Sequence, residues 1–284
     1  MAVELLAVNG VTLAAERFGS PADPPVLLVA GAAAPMVSWP RDFCGRLAGA
    51  GRFVVRYDHR DLGRSTSYPC GAPGYRLADL AGDVIGLLDA LDLPAAHLAG
   101  VSLGGQLAQL AALGHPSRVS SLTLVSTSPA ALGSAGRDLP QPSLSALCAL
   151  DDVDPPDWER PESVVRHLMA LARIRSGGAF DEPAARRAAV AVAGHGGDLR
   201  TAAANHALLG AGTPWRERLP EIAVPTVVLH GDHDPLFPPA HGRALRDLIP
   251  GATLITLPDT GHDLSGAGWN ELERALLAVS AGSS

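Results

Sequence analysis

Lysine is missing from all 284 residues, so the 22 basic residues are all arginine, set against 29 acidic ones, and the formal net charge is −7. A nucleic-acid binder normally carries a basic face. The longest arginine run here is the pair Arg186-Arg187, so phosphate tracking is excluded. Cysteine is scarce too. Cys44, Cys70 and Cys148 are odd in number and lack C-x-x-C spacing, which excludes a disulfide framework and a zinc site and leaves them as small hydrophobes. No run of 18 apolar residues occurs, so no membrane span is expected. The opening Met1-Ala2-Val3-Glu4 lacks the charged and apolar regions of a signal peptide, and a cytoplasmic location is expected.

What is present suits a packed core. Hydrophobic residues make up 47% and charged residues 18%, a balance that argues against disorder. The 31 glycines and 24 prolines are many for a helical bundle and fit a chain with many turns. The length predicts one α/β domain with an insertion, or two domains.

Strands and helices alternate along the chain. Val11 to Phe18 reads as a strand, and Pro25 to Ala30 is a wholly apolar run bounded by Pro24 and Gly31. Such a run without alternation fits a strand buried on both faces. A helix-like stretch from Trp39 to Ala48 precedes a strand from Arg52 to Asp58, and Leu77 to Leu91 has helical apolar spacing. Ala95 to Gly100 (strand), Leu103 to Leu113 (helix) and Val119 to Val125 (strand) continue the pattern. It resumes with Val224 to His230 (strand), Ala240 to Leu248 (helix), Ala252 to Leu257 (strand) and Trp269 to Val279 (helix). The predicted fold is α/β: a mostly parallel sheet with helices on both faces, formed by residues 1–127 and 216–284. Residues 128–215 lack a strand-like run. They hold Pro- and Gly-rich sequence (Pro129 to Pro142), an acidic stretch (Asp151 to Asp157) that reads as a solvated loop, and helical stretches at Val164 to Ile174, Pro183 to Ala193 and Leu199 to Leu209. This segment reads as a helical cap inserted into the core.

Gly100-Val101-Ser102-Leu103-Gly104 matches G-x-S-x-G between a strand and a helix. A serine there sits on a sharp turn with its hydroxyl lifted to the carboxyl edge of the sheet, and the helix start adds N–H donors for a developing oxyanion. A serine nucleophile needs a base, and the base needs an orienting carboxylate. In one arrangement of such groups on an α/β sheet the chain order is Ser, acid, His. Two later loops at the same edge supply both: His230-Gly231-Asp232-His233-Asp234-Pro235 offers Asp234, and Pro258-Asp259-Thr260-Gly261-His262 offers His262. Asp232 competes for the acid role, but Asp234, followed by proline, better fits a fixed position. His230 and His233 read as structural or solvent-facing. The oxyanion would be received by the N–H groups of Leu103 and of Ala32, in the loop after the third strand.

These segments, with Arg56-Tyr57-Asp58-His59-Arg60-Asp61-Leu62-Gly63-Arg64-Ser65-Thr66, resemble the α/β-hydrolase superfamily, and within it the aclacinomycin methylesterase-like bacterial esterases. The superfamily often has His-Gly where this chain has Ala30-Gly31. The resemblance covers nearly the whole chain and implies an esterase with a helical cap, no cofactor and no metal, and Ser102, Asp234 and His262 as its triad. It also suggests a methyl ester on a polyketide-type ring system as substrate.

The reading taken forward is a serine hydrolase of carboxylic esters, acting on a small molecule through an acyl-enzyme, with no nucleic-acid or membrane partner. Whether it forms a homo-oligomer is left open. Two alternatives stand beside it: a cofactor-free haloperoxidase-like perhydrolase using the same triad, and a non-catalytic small-ligand-binding protein of this fold. Trp39, Met169 and Trp215 are candidates to line the substrate pocket, with packing as the alternative reading. Asp58, Arg60, Arg64 and Ser65 are expected to brace their loop through Asp–Arg hydrogen bonds.

Overall fold

A computed structural model describes residues 3–131, 138–264 and 266–281. Its centre is an eight-stranded sheet: β1 (Glu4–Val8), β2 (Val11–Phe18), β3 (Pro25–Val29), β4 (Phe53–Tyr57), β5 (Ala96–Val101), β6 (Val119–Val125), β7 (Thr226–Gly231) and β8 (Thr253–Leu257). The spatial order is β1-β2-β4-β3-β5-β6-β7-β8. Only the pairs β1·β2 and β2·β4 are antiparallel, so β3 to β8 all point their carboxyl ends to one edge.

β1 was not expected from the sequence. It forms a hairpin with β2 in which Val8 faces Val11 across Asn9-Gly10. Both turn residues have positive φ, 48° and 80°, the conformation that Asn-Gly favours in two-residue hairpins. That dipeptide was the available signal.

The apolar strands are covered on both faces, as their sequence demands. Leu27, Val29, Val55 and Leu98 pack on one side with α2 (Leu77–Ala90) and α3 (Leu103–Gly114). The alternate residues Val26, Leu28, Val54 and Ala99 pack on the other with α1 (Arg41–Gly49) and α9 (Gly266–Ala281). α8 (Ala240–Leu248) joins β7 to β8. Among the described residues, no helix is long and apolar enough to cross a membrane.

Between β6 and β7 the chain holds no described strand but four α-helices: α4 (Leu144–Asp151), α5 (Pro161–Arg175), α6 (Glu182–Ala193) and α7 (Leu199–Ala207). α4 lies between the Pro- and Gly-rich stretch and the acidic stretch, and its eight residues carry too few periods to stand out in the sequence. Part of the Pro- and Gly-rich opening, residues 132–137, lies outside the described residues.

Candidate active site

Ser102 joins β5 to α3 with φ 54° and ψ −117°. A residue with a Cβ rarely adopts positive φ, and such strain of about 1–3 kcal/mol persists only where the surroundings enforce it. Here Ser102 N–H donates to Val125 O at 2.9 Å, and Thr127 Oγ1 donates to Ser102 O at 2.6 Å. The flanking glycines are required by close approach: a Cβ at Gly100 would lie 2.3 Å from Gly104 O, and one at Gly104 would lie 2.1 Å from Val29 O. The turn therefore wedges between β3 and α3, and Leu103 opens the helix with its N–H among the amides that have no partner inside it.

Asp234 and His262 come from the loops after β7 and β8. His262 Nδ1 and Asp234 Oδ2 are 2.9 Å apart, and both side chains are buried. The other oxygen, Asp234 Oδ1, accepts from the N–H groups of Leu236 and Phe237, each at 2.9 Å. An ionised carboxylate can only accept, so the imidazole is fixed with Nδ1–H toward Asp234, which leaves Nε2 as its acceptor nitrogen. Burial by itself would lower the His262 pKa, but the charge and hydrogen bond of Asp234 outweigh it and the net shift is upward. Burial likewise acts to raise the Asp234 carboxyl, and the neighbouring His262 and His230 overcome it, so the carboxyl lies below its ordinary value. Asp232, two residues away, is exposed; it pairs with His233 and accepts from Thr260 N–H instead. His230 is buried, with Nε2 2.6 Å from Phe237 O, and burial lowers its pKa. His233 is exposed.

The loop after β3 forms a tight turn in which Ala34 N–H donates to Gly31 O at 3.3 Å and Ala33 has φ 52°. A Cβ built at Gly31 would lie 3.6 Å from Ser102 Cβ, so this turn stands beside the serine. Ala32 is exposed at its tip. Side chains from elsewhere hold the turn on each side. His59 Nε2 is 2.9 Å from Ala30 O, Ala33 N–H donates to His206 Nδ1 at 2.8 Å, and Met36 N–H donates to Asp58 Oδ1 at 2.7 Å. Asp58 is fully buried and its Oδ2 lies 2.7 Å from His195 Nε2.

Three expectations need correction. Trp39 is 1% exposed and packs against Phe43 and Trp269 beneath the sheet. Trp215 is 2% exposed, and its Nε1–H donates to Gln109 Oε1. Both belong to the packed interior rather than to a substrate surface, because an indole offers the largest apolar area to bury. Trp215→Ala is accordingly expected to lower stability by about 3–5 kcal/mol, as for other large-to-small core changes; chemical denaturation checks this. Met169, on α5, is half-buried. Third, the Asp–Arg pairing around residues 58–65 is not internal. Arg60 makes a two-pronged pair with Asp83 on α2, at 2.7 and 2.8 Å, while Ser65 Oγ donates to Asp58 O. An open cleft of about 500 Å³ is lined by the acid loop itself, Asp232 to Pro235, together with Ser145, Ile174 and Gly177 among others; Ser102 and His262 do not line it.

The segment between β6 and β7 also reaches the site in ways the sequence did not disclose. His262 N–H donates to Arg175 O at the end of α5, and Arg175 pairs with Asp263. Asn205 and His206 of α7 are buried against the loops after β3 and β4. The one hint in the sequence is the spacing of polar Thr201 and Asn205 four residues apart on a short helix, which puts both on one face, here the buried one. Among the described residues no group of three His, Cys, Asp or Glu side chains could hold a metal ion. Cys44 is buried, which pushes its thiol up to about 12, so it is no nucleophile.

A serine on a strained strand–helix turn, at one sheet edge with a bonded His–Asp pair, defines an α/β-hydrolase. The chain belongs to the alpha/beta hydrolase fold family, whose model matches residues 24–147 and 167–266. It is similar to the rhodomycin D methylesterases DauP of Streptomyces sp. strain C5 (34% identical, covering 98% of both chains) and DnrP of Streptomyces peucetius (33%, 98% of both). Among solved structures, the esterase RhEst1 from Rhodococcus sp. ECU1013 superposes with a TM-score of 0.80 at 21% identity, covering 100% of both chains.

Proposed function

We propose that this chain hydrolyses a carboxylic ester through Ser102, His262 and Asp234. The chain is a carboxylic ester hydrolase: its full-length relatives are methylesterases. The observation that carries the residue assignment is the Nδ1 bond of His262 to a buried carboxylate that two backbone N–H groups hold in place, because it leaves Nε2 as the acceptor for a serine proton. Ser102 Oγ attacks the ester carbonyl as His262 Nε2 takes its proton. The oxyanion is received by the N–H groups of Leu103 and Ala32. The imidazolium, stabilised by Asp234, returns the proton to the leaving alcohol. Water then attacks the acyl-enzyme by the same route, releasing the acid and restoring Ser102.

Kinship with the rhodomycin D methylesterases supports a methyl ester of a polyketide-type small molecule as substrate, and residues 128–215 act as a cap over it. A panel of p-nitrophenyl esters, simple methyl esters and rhodomycin D tests the reading. Release of free acid and of the ester's own alcohol in equal amounts is expected, methanol from the methyl esters and p-nitrophenol from the p-nitrophenyl esters. If no ester is turned over while a fluorophosphonate labels Ser102 rapidly, the assignment to ester hydrolysis is wrong.

The acid limb of the reaction follows from the histidine. A general base must be neutral, and the His262 pKa is raised above its ordinary value near ~6.5. Activity is therefore lost as pH falls through that raised value, and kcat/KM should rise with pH to a plateau. His59, pushed down to about 4 by burial, and His230 stay neutral over that window and add no second limb there. A midpoint below that of free histidine would contradict the pairing.

A further inference from the structure

The turn Gly31–Ala34 is the second half of the oxyanion site, yet its conformation is not one its own sequence favours. The positive φ falls on Ala33 alone of the two central residues, which is the type II form, and that form favours glycine at this position. Alanine prefers the alternative in which the Ala32–Ala33 peptide is flipped. The N–H of that same peptide is the group bonded to His206.

We propose that His206, from helix α7 of the inserted segment, is a positioning residue for the oxyanion turn: its Nδ1 fixes the Ala32–Ala33 peptide and so holds in place, beside Ser102, the turn whose adjoining Gly31–Ala32 peptide carries Ala32 N–H. This rests on the reading of Ser102 and Ala32 given above. An amide N–H can only donate, so Nδ1 accepts and the ring's proton lies on Nε2. Nε2–H donates to Arg60 O at 3.0 Å. Both ring nitrogens are therefore committed, one to each core loop. Burial lowers the His206 pKa, which keeps the ring in the neutral form that this pairing requires. His59 and Tyr75 enclose it edge-on at centroid distances of 6.1 and 6.2 Å. The helix behind it cannot drift, because neighbouring Asn205 is fully buried and bonds Asp61 Oδ2, Pro69 O and Gly71 N–H. His195 adds a second tie of the same kind, through Asp58 to Met36 N–H. The inserted segment thus assembles part of the catalytic apparatus as well as covering it.

The test compares His206→Phe, which keeps the ring shape and removes both bonds, with His206→Asn, whose amide oxygen reproduces the Nδ1 acceptor. Each is assayed for kcat per active site, titrated with a fluorophosphonate, for KM, for melting temperature and for affinity toward a trifluoromethyl ketone, whose serine adduct carries the oxyanion. His206→Phe should lose about 10²-fold in kcat per titrated site, the scale of a misplaced catalytic group, with KM nearly unchanged and ketone affinity falling in parallel. His206→Asn should stay within about tenfold of wild type in both. Adding Ala33→Gly to His206→Phe should restore kcat, since glycine takes the positive φ unaided. A lower melting temperature with kcat per titrated site and ketone affinity intact would overturn the proposal and leave His206 a packing residue. If the Phe variant does not fold, the Asn variant decides: ketone affinity kept supports the proposal, and a loss of about 10²-fold overturns it. Should Ser102→Ala retain activity, the underlying reading fails instead.

Discussion

Ser102→Ala is expected to abolish ester hydrolysis, by on the order of 10⁴–10⁶ in turnover, while leaving the melting temperature unchanged. The size follows from the chemistry: without Oγ there is no acyl-enzyme, and His262 has nothing to activate. The unchanged stability follows from the geometry. Ser102 is half-buried, its structural bonds run through its backbone N–H and C=O, and alanine keeps both. Alanine also keeps the Cβ, so the strain of φ 54° persists. Ser102→Gly should be equally inactive but no less stable than the alanine variant, because glycine occupies that region freely. Initial rates on a p-nitrophenyl ester and thermal melts measure both effects. A variant that kept a tenth of wild-type turnover with unchanged melting would remove Ser102 from the mechanism.

The second large effect is expected at Asp234. Asp234→Asn should lower kcat by roughly 10⁴, as loss of a triad carboxylate does. The amide presents one oxygen to the Leu236 and Phe237 N–H groups and turns its NH₂ toward His262. The imidazole then carries its proton on Nε2, facing the serine, in the wrong tautomer. The plateau of the pH profile should drop and its midpoint should fall, since the charge that raises the His262 pKa is gone. Asp232→Asn should change turnover little: that side chain is exposed and engages His233 and Thr260 N–H rather than His262. Kinetics of the two variants over pH 5–9 compare them, and the opposite ranking would transfer the acid role to Asp232.

Much of this protein was legible in its sequence, and for definite physical reasons. A short apolar run with no polar side, such as Pro25 to Ala30, fits a strand covered on both faces, and its alternation with helical stretches along the chain points to a mostly parallel sheet. The hairpin strand β1 escaped although Leu5 to Val8 is apolar and Asn9-Gly10 marks its turn, because so short a run does not by itself separate a half-exposed edge strand from other structure. A G-x-S-x-G between strand and helix limits the serine to a strained turn, because both glycines sit where backbone passes within reach of a Cβ. Chain order and loop position then brought Asp234 and His262 to the same edge. The choice between Asp234 and Asp232 as the partner of His262 needed coordinates: they stand two residues apart, and only the fold buries one against the imidazole while exposing the other. Trp39 and Trp215 show the same limit, since composition says that an indole is large and apolar but not which surface it covers.

What the sequence by itself determined is the set of contacts that are local or imposed by the sheet: the strands, the serine turn and the shared edge. What only the tertiary structure decided is every contact between the inserted helices and the core. His206 meets Ala33 across 173 positions of chain, and His195 meets Asp58 across 137. No periodicity links residues so far apart. Their pairing is fixed by where α6 and α7 dock, and docking depends on the summed burial and hydrogen bonding of whole surfaces rather than on any motif.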